Sequence, residues 1–214
     1  MVGLCLGLNG VAITVLGQQE EWLPEEQPDS CYLGIGQQVP NFVLHPTKAN
    51  LQEAHLSDYR ADLTILDFWS VYCTPCIKAF PKMDSLQKNF PKKLKIVLIN
   101  PNGNSVSAVK TDSVLQRFEK LWSLKIELPS VYMDIATTNK FFYMVTVPHY
   151  IWLNKDMEII ATTSQDEVNK RNIEALLNGE KIAITIKPAN LNKPENKVMR
   201  NVPLSLTKQK DAYE

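Results

Sequence analysis

Two apolar runs, LTILDFW at residues 63–69 and LKIVLIN at 94–100, constrain this chain more than any other feature. Each is aliphatic or β-branched almost without a break, the pattern of a strand covered on both faces. Between them Ile77, Phe80, Met83, Leu86 and Phe90 recur every three or four residues while Lys78, Lys82 and Lys88 fall elsewhere, which predicts an amphipathic helix. Strand, helix and strand in that order make a βαβ crossover inside an α/β domain.

The rest of the chain extends that unit. Val114, Leu115, Phe118, Leu121 and Trp122 predict a second helix, followed by short strands near 130–133, 149–153 and 157–161. Asn154-Lys155-Asp156 separates the last two as a hairpin turn. Ser164 and Glu167 have capping-box spacing ahead of the stripe Val168, Ile173, Leu176 and Leu177, and Gly179 stops that helix. IAITIK (182–187) reads as an edge strand, and the remaining residues to 214, rich in Asn, Lys and Pro, read as a polar tail or a linker.

Residues 18–38 are acidic and turn-prone, so they read as a connecting segment, with the packed domain spanning 39–180. The first seventeen residues contain no Asp, Glu, Lys or Arg, and the first basic side chain of that kind is Lys48. The stretch resembles the apolar part of a secretory signal peptide but has no basic residues ahead of it, and it is short and glycine-interrupted for a membrane span. An apolar element docked on the domain is the alternative. Export to a periplasmic or cell-envelope compartment is the expectation; a cytoplasmic location follows if the segment is not a signal, and membrane attachment only if it stays uncleaved.

Lys plus Arg and Asp plus Glu are 23 each, so no net field draws the protein to nucleic acid. Of its four cysteines, Cys5 and Cys31 are isolated, whereas Cys73 and Cys76 flank Thr74-Pro75 at the junction of strand and helix. A sulfur at the first turn of a helix meets unpaired amide N–H groups and the positive end of the helix dipole, both of which favour a thiolate. Such sites lower a cysteine pKa from about 8.5 to roughly 3.5–7.5. Cys76, one helical turn on, can attack a mixed disulfide formed on Cys73. Pro75 stiffens the loop where its missing N–H is no loss, and Thr74 is the position that tunes redox potential. The competing reading of a CxxC pair is half a zinc site, which needs a second ligand pair; only Cys31 and His149 are on offer, so no metal is expected.

DFWSVYCTPCIKAFP resembles the active-site segment of the thioredoxin superfamily, and the sequence around it is similar to the TlpA/ResA-like thiol-disulfide oxidoreductases over about residues 39–178. The resemblance implies a thioredoxin-like fold: a central mixed β-sheet flanked by helices, an N-terminal hairpin extension opened by IGQQVPNFVLHP (35–46), and a TlpA-type insertion at about 105–144. It implies that Asp67 is a buried proton acceptor for Cys76, that Trp69 packs under the site, and that Pro81 lies inside the active-site helix. Val147-Pro148 matches the cis-proline dipeptide whose backbone pairs with an extended substrate. Tyr72 stands where many members carry tryptophan, so partner docking differs there. Trp69, Tyr72, Thr74, Pro75, Val147 and Pro148 are the expected substrate-binding set. His149 reads as a solvated strand-edge residue, not a catalytic one.

These features predict a protein disulfide reductase or isomerase that needs no cofactor, acts on protein thiols and disulfides, and is itself restored by an upstream thiol reductant. A peroxidase of the peroxiredoxin type is one rival, yet Arg60 is the sole arginine before the motif and is not spaced to support it. A binding module or a metal chaperone is the other; copper-delivering relatives place three residues between the cysteines, and here there are two.

Overall fold

A computed structural model describes residues 32–48, 51–102, 108–142, 146–187 and 200–206. The leader reading of 1–17, and Cys5 and Cys31 with it, lie outside the described residues. The elements in chain order are β1 (Val43–Pro46), β2 (Ala54–His55), β3 (Leu63–Phe68), α1 (Thr74–Asn89), β4 (Leu94–Asn102), α2 (Ala108–Trp122), β5 (Ser130–Asp134), α3 (Ile135–Phe141), β6 (His149–Asn154), β7 (Ile159–Thr163), α4 (Lys170–Leu177), β8 (Ile182–Ile186) and β9 (Arg200–Leu204). Their strands form one sheet in the order β2-β1-β5-β4-β3-β6-β7-β8-β9. β3 runs parallel to β4, β4 parallel to β5, and the other pairs are antiparallel, so the sheet is mixed as expected.

Period-two alternation divides the core into two layers. Leu63 and Ile65 of β3 with Trp69 just after it, Leu94, Ile96 and Leu98 of β4, and Tyr150 and Trp152 of β6 pack with α1, α2 and α4 on one face. Leu66 and Phe68, Val97 and Ile99, and Ile151 and Leu153 pack on the other, against Phe141 and Phe142 at the end of α3 and against Leu33 and Ile35. Every residue of β3 is buried, the reason its sequence reads as an unbroken apolar run. The chain continues helical through Pro81 to Asn89.

Four features differ from the sequence reading. Ser164 makes no side-chain cap; residues Gln165–Glu167 form a 3-10 turn, and Asn169 caps α4 by accepting from Asn172 N–H at 2.9 Å. Glu167, released from the cap, accepts instead from the backbone N–H of Thr185 at 3.0 Å and from Asn172 Nδ2 at 3.1 Å, tying β8 to α4. β8 is not the edge of the sheet, because β9 pairs along its full length. Pro203, which hides β9 from periodicity reading, lies on the outermost strand among the described residues, the place in a sheet where proline is tolerated. Residues 32–38, acidic-linker continuations by composition, run along the domain: Leu33 N–H donates to Phe141 C=O and Gly36 N–H to Ile159 C=O. α3, which no apolar stripe announces, is capped by Asp134 accepting from Thr137 N–H at 2.7 Å.

The change of cap residue is testable by chemical denaturation. Asn169→Ala should lower stability by about 1 kcal/mol, whereas Ser164→Ala should leave it nearly unchanged.

Candidate active site at the start of the first long helix

β3 ends at Phe68, and Trp69 N–H still donates to Ile99 C=O at 3.0 Å before the chain turns. Cys73 N–H closes that turn on Ser70 C=O at 3.0 Å, and Cys73 becomes the N-cap of α1. Its sulfur accepts from the N–H of Cys76 at 3.2 Å, so one of the helix's unpaired amides points at it. Pro75 occupies the first turn and withholds no N–H that the helix needs.

Cys73 and Cys76 form a disulfide with their Cα atoms 5.3 Å apart. The two sulfurs are unequal: Cys73 retains 8% of its surface and Cys76 retains none. Thr74 and Pro75 are exposed beside them, and Tyr72 is 72% exposed. Lys110 at the start of α2 donates to the Tyr72 hydroxyl at 2.8 Å, with its ammonium 5.1 Å from the ring centre. Trp69 belongs to the expected substrate set, but it is wholly buried and stacks edge-on against Phe80 at 5.0 Å, so it supports the site from beneath.

The Val147–Pro148 peptide is cis, as the resemblance implies. Register places it at the site, because His149, the next residue, pairs with Phe68 at the end of β3 that leads to the cysteines. The carbonyl of Pro148 accepts from Lys187 Nζ at 2.7 Å. Lys187 is held in turn by its own backbone, whose N–H donates to Thr162 C=O at 2.7 Å and whose C=O accepts from Thr162 Oγ1 at 2.8 Å. Lys187 was invisible as a site residue in the sequence, since nothing local links it to a loop 39 positions earlier. His149 is not solvated: it is 5% exposed, lies edge-on to Phe68, and burial, reinforced by the Lys187 ammonium, lowers its pKa to about 4.

Asp67 lies on the α1 face of β3, between Ile65 and Trp69, and has no exposed surface. Burial pushes its carboxyl well above the usual range, and the nearby Tyr150 hydroxyl acts in the opposite direction without offsetting it. The hydroxyl stops short of a well-formed hydrogen bond, so both carboxyl oxygens and the phenol oxygen remain unpartnered. Among the described residues, no group of three or more His, Cys, Asp or Glu is arranged to hold a metal ion, and no helix is long and apolar enough to cross a membrane.

A family model, that of the AhpC/TSA family, matches residues 35–160, more than half of the chain. The chain belongs to this family. Among curated relatives it is 29% identical over 119 residues to the thioredoxin-like protein YneN of Bacillus subtilis, covering 55% of this chain and 66% of that one. It is 26% identical over 138 residues to the thiol-disulfide oxidoreductase ResA of Bacillus thuringiensis subsp. konkukian, covering 64% of this chain and 73% of that one. The thioredoxin domain of a thiol-disulfide oxidoreductase from Bacteroides vulgatus superposes with a TM-score of 0.55 at 16% identity, over 68% of this chain and 99% of that one. At that identity the superposition shows the fold, which is thioredoxin-like.

Asp67 and His149, both buried, make stability depend on pH in opposite senses. The raised Asp67 pKa means its contribution is complete below the unfolded carboxylate value and is lost as pH rises through the folded one. The stability gained by Asp67→Asn should therefore widen from acid to neutral pH in paired denaturation curves. The lowered His149 pKa means its contribution is present above about 6.5 and is lost as pH falls toward about 4. His149→Phe should remove on the order of 3 kcal/mol of that acid-side dependence, read from the same curves.

Proposed function

We propose that this protein is a thiol-disulfide oxidoreductase that reduces or rearranges disulfides of protein substrates through Cys73 and Cys76. The observation that carries the reading is the inequality of the two sulfurs at one helix start. Cys73 is reachable and faces an amide, whereas Cys76 is enclosed and can meet only what Cys73 has already bound.

The reaction begins with the reduced pair. The Cys73 thiolate attacks one sulfur of a substrate disulfide lying extended beside Val147 and Pro148; a Cys73–substrate disulfide forms and the first substrate thiolate leaves. Cys76 then passes its proton to the Asp67 carboxylate and attacks Cys73. The Cys73–Cys76 bond forms, the bond to substrate breaks, and the second substrate thiolate departs and takes a proton from water. The substrate has gained two electrons and the protein has lost them, so an external thiol reductant restores the dithiol. Tyr72, Thr74 and Pro75 form the exposed rim against which the substrate docks, and Trp69 keeps that rim rigid from below.

The uncharged apolar stretch at residues 1–17, together with the resemblance to TlpA/ResA-like proteins, supports work in an exported compartment, where disulfides persist. The peroxidase alternative lacks support from Arg60. That residue precedes the start of β3, a six-residue strand, which separates it from the cysteine end by about 20 Å.

Insulin-disulfide reduction tests the reading. Cys73→Ser should abolish turnover, and Cys76→Ser should accumulate mixed disulfides on Cys73. Full turnover by either variant, or consumption of hydrogen peroxide at a comparable rate, would sink it.

A further inference from the structure

The strand register encloses the Asp67 carboxyl in a largely apolar cage whose wall carries two buried donors without a hydrogen-bond partner, the Tyr150 hydroxyl and the Trp69 indole N–H. Along β3 its same-face neighbours are Ile65 and Trp69; beside it stand Leu98 on β4 and Tyr150 on β6. Cys76, from α1, belongs to the same buried cluster as Trp69, Leu98 and Tyr150. Directly opposed residues of an antiparallel pair point to the same side, with Cβ atoms about 4.5–5.5 Å apart, so phenol and carboxyl share one dry space.

No ion bears on that space among the described residues. Asp84, a second buried carboxyl, lies on α1 two turns beyond Cys76 and is engaged by Lys88 Nζ at 2.7 Å and by Glu127 N–H at 2.8 Å. On β6, His149 faces the opposite layer, and Lys187 is committed to Pro148. β7 contributes Thr163, whose hydroxyl accepts from Trp152 Nε1 at 2.8 Å.

A tyrosine buried with its hydroxyl unpaired is unfavourable where phenylalanine would fill the same volume. The hydroxyl becomes useful only when its neighbour is ionised, because a carboxylate accepts a far stronger hydrogen bond than a neutral acid does. We propose that Tyr150 is a positioning residue for proton transfer in this site: its hydroxyl donates to the Asp67 carboxylate while Cys76 still holds its proton, and lets go once that proton has arrived. The inference rests on Asp67 being the acceptor for Cys76. Tyr150 keeps its own proton throughout, since burial and the Asp67 charge both raise its pKa. Without this donor, burial pushes Asp67 further toward its neutral form, which cannot accept a proton.

The test separates the two thiol steps. Reduced protein is mixed with 5,5′-dithiobis(2-nitrobenzoate), and the second thionitrobenzoate release, driven by Cys76, is followed by stopped flow from acid to alkaline pH. The wild type is compared with Tyr150→Phe, Asp67→Asn and the double variant. Tyr150→Phe should move the rising limb of the second phase to higher pH and slow it about tenfold at neutral pH, with the first phase unchanged. In the Asp67→Asn background it should add nothing.

An unmoved limb in Tyr150→Phe beside a moved one in Asp67→Asn overturns the role of Tyr150 alone. An unmoved limb in Asp67→Asn overturns the acceptor reading and this inference together. Equal slowing by Tyr150→Phe with and without Asp67 means a merely structural role and also overturns it. Should Tyr150→Phe not fold, NMR of the reduced wild type decides: the Tyr150 ring carbons should shift with the same midpoint as the Asp67 carboxyl carbon, and ring signals indifferent to that titration refute the proposal.

Discussion

The site depends on the place where a fully buried strand hands over to a helix. The amides that open α1 have no partner within the helix, and one of them, at Cys76, is satisfied by the sulfur of Cys73. That single contact makes the cysteine a cap as well as a nucleophile, so the element that stabilises the helix start is the one that reacts. It also explains the spacing of the pair. The residue whose N–H reaches an N-cap side chain lies two or three positions on, which is where Cys76 stands.

Everything beneath the pair is arranged around exclusion of water. β3 sits at the centre of the sheet with β4 and β6 on either side, so Asp67 is enclosed by strands laterally and by α1 above. A carboxyl in such a place is driven toward its neutral form, which makes it a proton acceptor of useful strength rather than a permanent charge. The same sheet holds the cis-proline loop at the cysteine end. Its position comes from the pairing of His149 with Phe68 and from Lys187, whose ammonium reaches the Pro148 carbonyl from beyond β8. The C-terminal strands are thus part of the site's support, although they lie at the far side of the sheet.

The family match and the geometry bear on different questions. The match over residues 35–160 gives descent, and the fold is shared with oxidoreductase domains at low identity. Neither speaks to what each side chain does. The burial difference between Cys73 and Cys76, and the absence of a charged partner for Asp67 among the described residues, are features of this chain's own packing.

What the sequence by itself determined was whatever is local in the chain. The β3–α1–β4 unit, the cysteine pair at a helix start, the hairpin turn at Asn154-Lys155-Asp156 and the stop at Gly179 each follow from periodicity or turn chemistry within a few residues. The tertiary structure alone decided what depends on pairing between distant segments. Tyr150 faces Asp67 only because β3 and β6 run antiparallel in that register, and Lys187 meets Pro148 only because β8 docks beyond β7. The same holds for Glu167, drawn from a capping box to the backbone of Thr185, and for β9, whose pairing with β8 no local pattern encodes. A side chain's spacing predicts the face it occupies, but its partner is set by which strand lies alongside.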